Sequence, residues 1–337
     1  MTAMPQSEAP ADNLVRAFSL HLEACNAAGL SPKTIEIYDG RYKQFLTFLK
    51  AQGHQPPFQL ELLTPVNARR ASIWIREHSH GRRGGEHAAK ALIATLKTGS
   101  AWLADEGYLD DEVDPLARLR RPKASSSARL PLTQEDVRAL RSAALDSQTG
   151  TRDIAIIRLL LDTGMRIGGL CSIMLADLDM RERRLVLRLK GGRQHVLYFG
   201  SPERRDGGGT VRAVQRYLVE RNEIVARWEG RGRGDRSQGR LFLSFDGWPL
   251  QPPGFHAALK QLATTAGLTG VFPHRFRHTM ATFYLVRHPG DETGLRGILG
   301  HLSDDMFRTY THLAHEIIAQ RAGRVALSEA WLEESAS

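Results

Sequence analysis

Residues 272–312 read FPHRFRHTMATFYLVRHPGDETGLRGILGHLSDDMFRTYTH, from Phe272 to His312. The stretch holds a histidine and an arginine three positions apart (His274, Arg277), a Gly300-His301 pair, and Tyr310 nine residues after His301. Pro273 suits the first position of a helix, so this spacing puts His274 and Arg277 on neighbouring turns of one face. A helix N-terminus adds partial positive charge there, and such a face suits an anion. Gly300 is expected to end a second short helix, and Ser303-Asp304-Asp305 offers caps for a third that carries Tyr310. The tyrosine then stands on an element able to move separately from the histidine.

Two upstream segments add cations. Ile154, Ile157, Leu160 and Leu161 mark a buried helix ended by Gly164, immediately before Arg166. Arg184 to Lys190 alternates Leu185, Leu187 and Leu189 with polar residues, breaks at Gly191-Gly192, and resumes as Gln194 to Phe199. This is a β-hairpin signal with Lys190 beside the turn and Arg193 across it.

The ordered set of H-x-x-R, then L-G-H, then a tyrosine nine residues on, resembles the C-terminal signature of the tyrosine recombinases, also called the phage integrase family. The stretch from Leu160 to Leu170, LLDTGMRIGGL, resembles the family segment T-G-x-R-x-x-E-L, which assigns the first catalytic arginine to Arg166. The family places a catalytic lysine on a hairpin, which matches Lys190, with Arg193 the weaker match. The chain departs from the family at Gly169, where a glutamate usually stands and would buttress Arg166. The resemblance implies a mainly α fold with a small β-sheet (α+β): an N-terminal helical core-binding domain and a C-terminal tyrosine-recombinase catalytic domain. It implies the catalytic set Arg166, Lys190, His274, Arg277, His301 and Tyr310, double-stranded DNA as partner, and a homo-tetramer on two DNA sites, with the need for an accessory protein left open.

The chemistry fits those residue types. Metal-free cleavage of a phosphodiester needs a nucleophile, cations for the non-bridging oxygens, and an acid for the leaving alkoxide. Arginine stays charged and can donate two parallel hydrogen bonds to phosphate, so Arg166 and Arg277 can bracket the scissile group. His301 is a third donor, and such a donor contributes about 3 kcal/mol in a preorganised site. Tyr310, with an ordinary pKa near 10, needs its proton removed, and His274 is the candidate base. Lys190 is the candidate acid for the 5′ oxygen. The product is a 3′-phosphotyrosyl link that a 5′ hydroxyl can reverse without ATP. His278, His312 and His315 receive no catalytic role and are expected at structural or surface positions.

Length and composition agree. The 337 residues suffice for two domains, and Lys+Arg 46 against Asp+Glu 37 leaves a formal charge of +9, which favours a polyanionic partner. Cys25 and Cys171 read as small apolar residues without a disulfide, which fits a reducing compartment. No apolar run reaches membrane-spanning length and the N-terminus lacks a signal-peptide pattern, so a cytoplasmic protein without a membrane partner is expected. No cofactor and no metal site is expected.

Along the chain, residues 1–11 read as a disordered start and 12–117 as the helical DNA-binding domain. There, Leu14 to Leu22, a helix begun by Ser31-Pro32, one begun by Thr64-Pro65, and one from about Glu86 to Glu106 carry apolar stripes. Candidate DNA contacts are Lys33, Arg41, Lys43, Arg82, Arg83, Lys90 and Lys97, joined by Arg121, Lys123 and Arg193. Residues 118–129, RLRRPKASSSAR, read as a basic linker, 130–325 as the catalytic domain and 326–337 as a tail helix. In the family the tail often docks on a neighbouring subunit. Thr133-Gln-Glu-Asp136 is a capping-box start, Val211, Val214, Leu218 and Val225 mark another helix, Glu229 to Arg240 reads as a mobile basic loop near DNA, Leu241 to Phe245 as a short strand, and Phe255 to Ala266 as a helix.

The leading function is thus a site-specific DNA recombinase or integrase, with integration, excision, mobile-element transposition and chromosome-dimer resolution all left open by the sequence. The alternatives are a type IB topoisomerase-like enzyme and a non-catalytic DNA-binding protein with the recombinase fold. A metal-dependent nuclease is weakest, because Asp177 and Asp179 have no matching acidic partners in the sequence.

Overall fold

The structure, a computed structural model, describes residues 12–78, 84–109, 113–122, 130–188, 193–201, 203–232, 234–300 and 302–322. Lys190, His301, Arg82, Arg83, Lys123, residues 1–11 and the tail 326–337 therefore lie outside the described residues. The chain divides into two compact units, Met1–Ser127 and Ala128–Ser337.

The first unit contains α1 (Leu14–Ala27), α2 (Pro32–Ala51), α3 (Pro65–His78) and α4 (Gly84–Asp105). Ser31 caps α2 by accepting from the Thr34 amide, with Pro32 at the first turn. Periodic apolar residues Leu14, Phe18, Phe45, Leu49, Leu92 and Leu96 close one core, with the Tyr42 ring stacked on Phe18. On α3 the core-facing residues are Ala68, Ala71, Ser72 and Ile75, whereas Val66 and Ile73 are exposed.

The second unit contains α5 (Gln134–Leu145), α6 (Gly150–Thr163), α7 (Ile167–Ser172), then β1 (Leu178–Asp179), β2 (Arg184–Arg188) and β3 (Gln194–Tyr198). It continues with α8 (Gly208–Glu229), α9 (Pro252–Thr265), α10 (Pro273–Arg287), α11 (Glu292–Leu299) and α12 (Asp304–Ala322). The Thr133 capping box opens α5. The sheet is antiparallel in the order β1-β2-β3, with Arg188 opposite Gln194. Leu185, Leu187 and Leu197 point into the core, which sets the register, because a one-residue slip would turn them outward.

Two expectations need correction. Leu241 to Phe245 is not a strand; it makes one isolated bridge, Leu243 with Pro249, and Arg240 just before it bridges to Met174. Its backbone groups are met piecemeal: the Leu241 amide donates to the Ile173 carbonyl, the Ser244 amide donates to the Trp248 carbonyl and the Phe242 carbonyl accepts from the Leu250 amide. The Tyr217 hydroxyl donates to the Leu241 carbonyl and accepts from the Leu243 amide, while Arg221 donates to the Arg240 and Leu241 carbonyls. The Glu229 to Arg240 loop is also partly pinned, since the Arg236 guanidinium lies 4.3 Å from the centre of the Trp228 ring and 5.1 Å from that of Trp248.

Candidate active site

The C-terminal end of α6 positions the first group. Gly164 terminates α6 at φ 61°, and a side chain there would overlap Met280 and Leu299, with an added Cβ only 2.4 Å from Met280 Cε. Glycine permits both the left-handed turn and the close approach of α10 and α11. Arg166 follows as the N-cap of α7 and is exposed. At Gly169 a Cβ would meet Leu187 at an ordinary 3.5 Å, so no steric demand explains the missing glutamate.

Helix α10 carries the H-x-x-R pair. Its first turn holds Pro273 and the exposed His274, and one turn on Arg277 is 4 % exposed. The Arg277 guanidinium donates to the Gly164 carbonyl at 3.0 Å and to the Leu299 carbonyl at 3.1 Å, tying together the ends of α6 and α11. Burial and the like charge of Arg166 push the Arg277 pKa down to about 10, partly offset by Tyr310. The guanidinium remains a cation at neutral pH.

Gly300 ends α11 at φ 72°, and Ser303 then accepts from the Met306 amide at the start of α12. Arg296 bridges this junction, donating to the Leu302 carbonyl and pairing with Glu292 and Asp304. Tyr310, two turns into α12, is 0 % exposed among Met280, Leu295, Leu299 and Leu302. Its hydroxyl is covered and, among the described residues, makes no hydrogen bond of ordinary distance and angle, although Arg277 acts on it electrostatically. Burial raises the phenol pKa, and Arg277 and Arg166 pull it back.

These elements converge. Arg166, His274, Arg277 and Tyr310 line one cavity of about 460 Å³ with Leu302, Ser303 and Met306. Buried His278 contacts both His274 and Tyr310, its ring edge-on to each at centroid distances of 4.7 and 5.3 Å. The sequence motif gave His278 no role. Its i+4 spacing from His274 is the signal that puts the two rings on one face. His195 on β3 shares a 3.0 Å hydrogen bond between Nε2 and the Ile298 carbonyl, which ties the hairpin to the last turn of α11. His312 pairs with Glu316, and both His312 and His315 are peripheral.

The remaining candidates are dispersed. Lys33 pairs with Glu36 and Lys43 with Asp39, each at 2.7 Å, and Arg41 donates to Gln44. Lys97 is engaged by the Ala117 and Leu119 carbonyls at 2.6 and 2.8 Å. Lys90, Arg121 and Arg193 are exposed. Asp177 pairs with Arg188 at 2.8 Å and Asp179 with Arg184, so strand arginines neutralise both. Among the described residues no group of His, Cys, Asp and Glu could hold a metal, both cysteines are free and buried, and no helix is long and apolar enough to cross a membrane.

Two arginines, a histidine and a buried tyrosine on one cavity are residue types suited to phosphoryl transfer. The model of the phage integrase family matches residues 131–316. The tyrosine recombinase XerC of Alcanivorax borkumensis is 29% identical over 309 residues, covering 91% of this chain and 91% of that protein. XerC of Roseiflexus castenholzii is 30% identical over 305 residues, covering 90% of this chain and 89% of that protein. The crystal structure of a lambda integrase dimer bound to a COC′ core site superposes with a TM-score of 0.65 at 20% identity, over 88% of this chain and 94% of that one. That last likeness concerns the fold. The chain belongs to the phage integrase family and is a tyrosine site-specific recombinase.

Proposed function

We propose that this recombinase cuts and rejoins double-stranded DNA through a 3′-phosphotyrosyl intermediate on Tyr310. The observation that carries the reading is the single cavity lined by Arg166, His274, Arg277 and Tyr310. Attack by the Tyr310 oxygen on phosphorus forms the tyrosyl–phosphate bond as the bond to the 5′ oxygen breaks. His274, at the cavity edge, accepts the phenol proton. Arg166 and Arg277 hold the non-bridging oxygens; two guanidiniums supply the charge that a metal supplies elsewhere, so neither metal nor ATP is required. Lys190 protonates the leaving 5′ oxygen, and His301 donates to the phosphate. These two roles rest on family likeness and on the sequence positions after β2 and α11. A 5′ hydroxyl of another strand then reverses the reaction, which conserves the bond energy. Exchange between two duplexes requires four active subunits, a homo-tetramer.

Because the Tyr310 hydroxyl is covered, cleavage requires that α12 shift or that phosphate displace the covering side chains. Candidate backbone contacts outside the cavity are Lys33, Arg41, Lys43, Lys90, Arg121 and Arg193, together with Arg82, Arg83 and Lys123.

The test is adduct trapping. Genomic fragments from the source, nicked so that a short 5′-hydroxyl strand diffuses away, are mixed with protein and EDTA, denatured and recovered on protein. Wild-type adducts that disappear in Tyr310→Phe are expected, and sequencing them reveals the site. Duplex binding without adducts from either protein would overturn the cleavage reading in favour of a DNA-binding role.

A further inference from the structure

A second cationic cavity lies away from the one just described. It encloses about 310 Å³ and is lined by Arg141 from α5, Arg158 from α6, and Arg212 and Arg216 from α8. It shares no lining residue with the cavity of Tyr310. Arg158 also precedes the Gly164 end of α6 by roughly 9 Å of helix rise.

Three features distinguish it from an ordinary arginine-rich surface. The arginines come from three helices packed on one another, with Arg212 and Arg216 one turn apart on the same face of α8. The Arg158 guanidinium lies directly against the backbone of Gly209: a Cβ there would stand 2.4 Å from its Nη1, so the glycine makes room for the charge. No carboxylate lines the cavity. Asp206 pairs with Arg212 but is shared with Arg204, and Asp162 attracts Arg158. These two carboxylates are fewer than the four arginines of the cavity. Arg141 and Arg212 both depress the Arg158 pKa, after burial, so the cluster repels itself when empty. Such an arrangement is stabilised by a compact dianion, and guanidinium forks match phosphate oxygens.

We propose that Arg141, Arg158, Arg212 and Arg216 form a phosphate-binding site separate from the strand-cleavage cavity. Its ligand is a phosphate group, from either a nucleic-acid backbone or a small soluble polyphosphate.

The test uses the full chain, the double variant Arg141→Gln/Arg216→Gln, and a control with the same charge loss, Arg181→Gln/Arg205→Gln. All four positions are exposed, so folding is preserved. In the first arm, thermal unfolding is followed with millimolar pyrophosphate at constant ionic strength. A small polyphosphate ligand predicts a midpoint rise of roughly 3–5 °C larger for wild type and control than for the Arg141/Arg216 variant. The variant keeps the Tyr310 cavity, so any rise from phosphate bound there cancels in the comparison. In the second arm, duplex affinity is measured against salt. A DNA-backbone phosphate in the site predicts that the slope of log K on log salt falls by about 1.8 more for the Arg141/Arg216 variant than for the control. Either difference supports the site and identifies its source. If the Arg141/Arg216 variant matches the control in both arms, the proposal is overturned. Adduct formation is read separately, so a failure here leaves the cleavage reading intact.

Discussion

The two arginines of the cavity do different work because one is buried and one is not. Arg277 satisfies two buried carbonyls, Gly164 and Leu299, besides lining the cavity. Arg277→Ala should lower unfolding stability by about 2 kcal/mol in chemical denaturation, because those acceptors lose their donor. Arg166→Ala, at an exposed helix cap, should cost clearly less, while both variants lose adduct formation. The same residues set the pH profile. Burial holds the Tyr310 phenol above its usual range, so little phenolate exists at neutral pH and single-turnover cleavage should rise with pH. Arg277, with its pKa pushed down to about 10, loses its charge beyond that point, and the rate should then fall. The linkage sign is opposite to that of a salt bridge. A cation whose folded pKa lies below its unfolded value destabilises the fold while charged, and the penalty is relieved only as pH rises through about 10. A rate flat from pH 6 to 9 would refute this account.

At the scale of elements, the site is an assembly of ends: the C-terminus of α6, the first turns of α10, the last turn of α11 and the second turn of α12. Gly164 and Arg277 join the first three, and Arg296 joins α11 to α12. The hairpin of β2 and β3 is tied to this group through His195 and the Ile298 carbonyl. His195→Leu removes that tie and should loosen the hairpin, between whose strands Lys190, the proposed acid, falls in the sequence. Cleavage of an ordinary substrate should then slow by roughly tenfold, the cost of about one hydrogen bond. A substrate with sulfur in place of the leaving 5′ oxygen needs little acid assistance, so it should be cut by wild type and His195→Leu at similar rates. Equal slowing of both substrates would mean that His195 acts on the fold and not on the acid.

For the whole molecule, the apolar clusters of the two units share no residue. Separate cores imply separately cooperative unfolding. Leu92→Ala, within the first core, should lower one calorimetric transition by removing about 3 kcal/mol. Phe276→Ala, within the second, should lower a different transition and leave the first in place. One transition moved by both variants would show that the units unfold together. The net charge of +9 acts on both units and favours any duplex; it selects no sequence.

Local chemistry carried much of this protein legibly in its sequence. Ser31-Pro32, the Thr133 capping box, Gly164 and Gly300 mark ends of helices because caps and left-handed turns need those residue types, and alternating leucines mark the hairpin. The motif spacing likewise named Arg166, His274, Arg277 and Tyr310, which the fold brings to one cavity. What only tertiary structure decided depends on neighbours distant in sequence. Leu241 to Phe245 has strand composition but forms no continuous ladder, since its backbone groups are split among the backbone of Ile173, Trp248 and Leu250 and the side chains of Tyr217 and Arg221. The complete burial of Tyr310, the edge-on contact of His278 with it, and the four arginines from α5, α6 and α8 likewise arise from helix packing. Periodicity specifies which face of a helix is apolar; it does not specify what that face meets.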